Sequence, residues 1–210
     1  MIKKYIEYIK ETINLDIDPY SEEDWDEDNL SPILQLARKT GLPYDQIITL
    51  DCSGTNLTSL KGIEKLINLQ QLYCYNSQLT SLDGIEHLTK LKEIDLGGNH
   101  LTNLDGIENL ISLTTLLCEI NQLTSLEGIR NLINLKELVC DDNQLTSLNG
   151  LENLINLTHI FCDNNQLTSL DGIENLTNLR ILHCHKNLFS DDYTKYIRNY
   201  CHKKGIQLYI

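Results

Sequence analysis

Residues 135–156 read LKELVCDDNQLTSLNGLENLIN, and this stretch decides the architecture because it is one copy of a pattern that returns every 22 residues. The aliphatic residue that stands here as Leu138 recurs as Leu50, Leu72, Ile94, Leu116, Ile160 and Leu182. Seven copies follow one another without an insertion. A period this regular implies a solenoid, in which each copy is one supersecondary unit that buries its apolar edge only against its neighbours. A strand alternates its side chains between faces, so Leu138 and Cys140 are expected to point inward and Val139 and Asp141 outward.

The unit L-K-E-L-V-C-D-D-N-Q-L resembles the leucine-rich repeat signature L-x-x-L-x-L-x-x-N/C-x-L. Its 22-residue length and S-L-x-G-I-x-N-L-x-N-L tail resemble the internalin-like class of bacterial proteins. The resemblance runs over about residues 47 to 189. It implies an α/β leucine-rich repeat solenoid with a parallel β-sheet on the concave face and short helices or 3-10 turns on the convex face. Geometry agrees, since parallel strands stack ~4.8 Å apart while anything helical is ~10 Å wide and must lie on the outside of the curve. The expected divisions are a helical N-terminal cap with an acidic loop (1–46), seven repeats (47–187) and a C-terminal cap (188–210).

Cys52, Cys74, Cys118, Cys140, Cys162 and Cys184 share one inward position, with Leu96 filling it in the third unit. Zinc needs four ligands converging on a point, which a straight column of parallel side chains does not provide. Neighbouring Cys fall within disulfide range but are poorly aimed. Small buried hydrophobes with free thiols are therefore expected, the usage of a reducing cytosol. Asn99, Asn121, Asn143, Asn165 and Asn187 follow three residues later, replaced by Thr55 and Ser77 in the first units. The resemblance implies that this Asn is buried and holds the turn backbone. Gly62, Gly84, Gly106, Gly128, Gly150 and Gly172 mark one convex position where a positive φ or a close backbone approach is expected.

Both ends need polar lids. Ser190, Asp191 and Asp192 begin a C-terminal helix with Tyr193, Tyr196, Ile197 and Tyr200 on one face and Gly205 as its stop, and residues 206–210 add a last strand. At the other end Ile2, Tyr5, Ile6, Ile9 and Ile13 fall at helical spacing, and Ser31-Pro32 starts a second helix that Gly41 closes. Between them lies the acidic run DIDPYSEEDWDEDN around Trp25. It lacks the Gly of a calcium loop and reads as a solvated loop, with Trp25 packing on the cap or anchoring a partner. No apolar run approaches a membrane span and no signal peptide is evident, so a chain in the producer's cytoplasm, or one delivered to a host cytosol by a leaderless route, is expected.

The outward columns are where the repeats differ. The central one reads Asp51, Tyr73, Asp95, Leu117, Val139, Phe161, His183, and its neighbour Ser53, Tyr75, Gly97, Glu119, Asp141, Asp163, His185. Two more outward columns, which hold Glu93, Glu137, Asp142 and His159, bring the face to four outward positions over seven units, an acidic, partly aromatic surface of the size of a standard protein interface, ~20 to 30 residues. The candidate protein-binding residues are Tyr73, Tyr75, Glu93, Asp95, Leu117, Glu119, Glu137, Val139, Asp141, Asp142, His159, Phe161, Asp163, His183 and His185. They call for a protein partner with a basic surface and an apolar protrusion, bound by a chain that is monomeric when free. No catalytic motif occurs, and no cofactor is implied. His159, His183 and His185 are the one place to look for a metal ion, and surface histidines are the simpler reading. A net charge of −13 argues against nucleic acid. A scaffold with no dedicated ligand is the alternative to a binding module.

Overall fold

The computed structural model describes residues 30–210. Its spine is one parallel sheet of eight three-residue strands in sequence order. They are β1 (Thr49–Asp51), β2 (Gln71–Tyr73), β3 (Glu93–Asp95), β4 (Thr115–Leu117), β5 (Glu137–Val139), β6 (His159–Phe161), β7 (Ile181–His183) and β8 (Gln207–Tyr209). From β1 to β7 each residue pairs with the one 22 positions on, as Leu116 with Leu138. The register cannot slip, because a one-residue shift would turn every core side chain to solvent.

In the unit that starts at Leu135, seven side chains are at most 1% exposed: Leu135, Leu138, Cys140, Leu145, Leu148, Leu151 and Leu154. They touch their counterparts in the units before and after, so the interior is one continuous core. Each aliphatic side chain so buried contributes about 1.5–3 kcal/mol, which offsets the ordering of a unit only when its neighbours are present. The α/β leucine-rich repeat solenoid that the resemblance implies is the observed fold.

The return side is less helical than the strand side is regular. Single 3-10 turns occur at Ile63–Lys65, Glu127–Ile129 and Ile173–Asn175, and the other units use hydrogen-bonded turns. Five of the six convex glycines adopt φ near +100°. In those units the Gly N–H donates to the carboxylate two residues later, as Gly150 does to Glu152 at 2.9 Å. Gly128 is the exception. Arg130 stands where the other units have Glu and pairs instead with Glu127 at 3.2 Å, and the 3-10 turn of this unit includes the glycine rather than following it. Glycine is still required there, since an added Cβ would lie 2.6 Å from the Leu104 carbonyl oxygen.

Helix α1 (Pro32–Lys39) buries Ile33, Leu34, Leu36 and Ala37 against the first repeat and ends at Gly41 with φ +72°. The first amphipathic segment and the acidic run with Trp25 lie outside the described residues. At the other end Ser190 caps α2 (Asp191–Lys204) by accepting the Tyr193 N–H at 3.2 Å, and Gly205 stops it. Most of the expected face packs inward: Ile197 and Cys201 are buried and Tyr193 and Tyr200 pack partly buried against the core, whereas Tyr196 is 52% exposed with its ring between theirs. β8 then pairs with β7, Leu182 opposite Leu208, and covers the sheet edge.

Candidate protein-binding face

The site rests on two interior columns. The six repeat cysteines are buried, free thiols. Several sulfurs donate to the carbonyl of the next strand, as Cys118 does to Val139 at 3.2 Å, and burial pushes the Cys184 thiol up to about 12. Such thiols are poor nucleophiles. Each buried Asn is a four-way clamp: Asn143 donates to the carbonyls of Cys118 (3.0 Å), Cys140 (3.2 Å) and Asp141 (3.1 Å) and accepts the Leu123 N–H at 2.9 Å. The clamp fixes where each strand ends and therefore where its outward side chains emerge.

The central outward column is a half-buried row, Tyr73, Leu117, Val139, Phe161 and His183, with Asp51 also half-buried. Asp95 is the exception. Only 7% exposed, it accepts its own strand's Gly97 N–H at 3.0 Å rather than standing free in the field of charge. Phe161, His183 and Tyr209 form a stack across β6, β7 and β8, with ring centroids 4.8 and 4.0 Å apart. Tyr209 is thus an eighth member of the column, legible in hindsight from Q-L-Y at 207–209, which repeats the strand pattern. The stack also gives Phe161 a packing role in the free chain, so it is not purely a partner contact.

The neighbouring column carries Tyr75, Glu119, Asp141, Asp163 and His185. Asp141 accepts the Asp163 N–H and Asp163 accepts the His185 N–H, each at 2.6 Å, so two carboxylates hold successive strand exits in place. Glu119 lies over Gly97 beside Tyr75, and its Oε2 is buried with no hydrogen-bond partner. Burial, with the nearby charges of Asp95 and Asp141, pushes Glu119 up to about 7. Burial, then Asp163 and Asp142, pushes Asp141 up to about 6. Burial also raises Asp95, helped by Asp51 and Glu93. Among the described residues the ion pairs of Lys and Arg are Arg130–Glu127 and Lys195–Asp192; none reaches this cluster.

The remaining candidates divide. Glu93 accepts from Gln71 at 3.0 Å at the strand entrance, where Glu137 and His159 also stand. The three histidines are engaged separately: His159 Nδ1 bonds Thr158 at 2.8 Å, His183 is stacked with its Nδ1 4.0 Å from Asp163, and His185 is exposed. Among the described residues no group of three His, Cys, Asp or Glu is placed to hold a metal ion. Asp142 is exposed but not on a flat strand. It belongs to the column Gly54, Asn76, Gly98, Ile120, Asp142, Asn164, Lys186, in which every residue has φ between +52° and +69°. That left-handed column was missed in the sequence, although its two Gly, two Asn and one Asp are the residues that tolerate the conformation. Ile120 is the outlier: a β-branched residue there is strained, and it is 51% exposed.

Known proteins resemble the chain in the same terms. The family described as Leucine Rich repeats (2 copies) matches residues 45–87, 67–109 and 155–194, together half of the chain. No curated protein matches by sequence. Among solved structures, an internalin (InlF) from Listeria monocytogenes is 26% identical with a TM-score of 0.69, over 78% of this chain and 47% of that one. Internalin C2 from Listeria monocytogenes is 28% identical with a TM-score of 0.61, over 80% of each chain. The functional domain of InlJ from Listeria monocytogenes, which includes a cysteine ladder, is 30% identical with a TM-score of 0.56, over 69% of this chain and 36% of that one. The chain thus spans about half the length of the first of these relatives. The repeat, its sheet and these likenesses together place the chain in the leucine-rich repeat family, as a bacterial internalin-like member.

Proposed function

We propose that the sheet face between β3 and β6 binds a protein that presents a basic surface around an apolar protrusion, and that the chain acts by occupying that surface rather than by catalysis. The fold is that of a protein-interaction module. The observation that carries the finer reading is a row of aliphatic and aromatic side chains, Leu117, Val139 and Phe161, set beside desolvated carboxylates that no cation of the described residues neutralises. Crowded carboxylates raise the energy of the free chain, and a Lys or Arg of the partner relieves that cost while the apolar row supplies affinity. Blocking an active or binding site of the partner is the simplest consequence of covering it. The aligned free thiols support a reducing setting, the producer's cytoplasm or a host cytosol reached as an effector.

The test begins with affinity purification and mass spectrometry to identify the partner, followed by titrations with variants. Phe161→Ala should weaken binding by ~2 kcal/mol or more. Asp141→Lys should slow association and flatten its salt dependence. Lys90→Glu, on the convex side, should change neither. Loss of binding on the convex change with normal binding by Phe161→Ala would place the partner on the other surface.

A further inference from the structure

The return side holds a second row that the binding face does not use. Ile67, Ile111, Ile133 and Ile155 occupy one position of the repeat and are 57%, 53%, 52% and 50% exposed. Thr89 and Thr177 fill the same position, also exposed, so the fold does not require an apolar residue there. The backbone of the row is hydrogen-bonded from unit to unit: Asn134, Asn156 and Asn178 donate from their side chains to the carbonyls of Ile111, Ile133 and Ile155 at 2.8, 2.8 and 2.9 Å. On either side stand exposed, uncharged residues, Asn131 and Asn153 before the row and Asn134 and Asn156 after it. Neither flanking column contains an Asp or Glu.

We infer that this row is a self-association surface on which two copies of the chain pair about a two-fold axis at Ile133. A two-fold interface must be self-complementary. The run Thr89, Ile111, Ile133, Ile155, Thr177 reads the same in both directions, at equal steps of one repeat. Antiparallel pairing therefore sets Ile111 of one copy against Ile155 of the other and threonine against threonine at both ends. Charge permits the same occupant along this band. Two copies that each carry −13 repel when their acidic faces approach, and a carboxylate-free band lets them meet with those faces turned away. Three half-exposed isoleucines supply well under the ~800 Å² per partner of a stable interface, so the dimer is weak and the chain is monomeric when dilute.

Sedimentation equilibrium of the full chain, from about 10 µM to about 1 mM, tests this directly. The weight-average mass should rise from 24.1 kDa toward twice that value. Raising salt should strengthen association by screening repulsion, the reverse of its effect on a cationic partner at the sheet face, so the two readings fail separately. A variant carrying Ile111→Thr, Ile133→Thr and Ile155→Thr uses the chain's own alternative residue and should keep its melting curve while associating at least ten-fold more weakly. Under mild oxidation Ile133→Cys should form a covalent dimer much faster than Ile67→Cys, which lies three units from the axis. A mass fixed at 24.1 kDa at the highest concentration, undiminished association of the triple variant, or equal cross-linking at both positions would each overturn the proposal.

Discussion

Within each strand, the residue that faces inward and the residue that faces outward obey different rules. The inward positions are nearly constant: Leu or Ile at the strand centre, Cys or Leu two residues on, and Asn three residues after that in the later units. The outward position next to them holds Asp, Tyr, Asp, Leu, Val, Phe and His in turn, and then Tyr209. An interior shared by stacked units has one shape to fill, and every departure from it costs packing in two units at once. The outer face is constrained only locally, where Asp141 and Asp163 hold the next strand's N–H and Phe161 stacks on His183. Ile120 and the Glu119 carboxylate break the repeat there without a structural return, which is why they carry the tests of the proposed binding face.

The largest expected effect breaks the inner rule. Asn143→Ala removes an amide that serves three carbonyls and one N–H in the core. Urea unfolding should show a loss on the order of 4 kcal/mol, because several buried groups lose their partner together. A loss below 1 kcal/mol would mean that the turn backbone finds other partners and that the column is not a clamp.

An intermediate effect belongs to the outer face. Glu119 rises from 4.5 to about 7 on folding, so the folded chain holds more protons than the unfolded one between those values. Its contribution is therefore neutral below the unfolded value, becomes destabilising as pH rises from the unfolded to the folded value, and stays constant above that. Melting temperature should fall between pH 4.5 and about pH 7, and Glu119→Gln should remove part of that fall. The gain at pH 8 should be about 1 to 2 kcal/mol, discounted because solvent still reaches part of the side chain. A variant that melts lower than the parent at pH 8 would show the carboxylate to be structural.

The smallest effect sharpens the contrast at one residue. Ile120→Asn places in the left-handed position the residue that Asn76 and Asn164 already use there. Thermal unfolding should show a gain of about 1 kcal/mol from relief of backbone strain. The same change should weaken the protein partner if the exposed isoleucine contributes to binding, and opposite signs for stability and affinity exclude a folding defect as the cause.

Much of the molecule was legible from spacing alone. The period placed β1 to β7 and the Cys and Asn columns, and the capping Ser190, the helical spacing and Gly205 placed α2 and the closing strand, because each depends on local pattern. Hydrophobic periodicity and turn residues carry that information in the order of the chain. The candidate face was legible as a list of outward residues but not as a site. Tertiary structure decided that Asp95 is buried, that Asp141 and Asp163 hold the next strand's amide, and that Phe161 stacks on His183. It also decided that Gly128 sits in a different turn from its five counterparts and that four isoleucines line the return side half-exposed. These outcomes depend on contacts between residues one repeat apart, where distance and desolvation, not the identity of a residue, determine whether a carboxylate is a free charge or part of the frame.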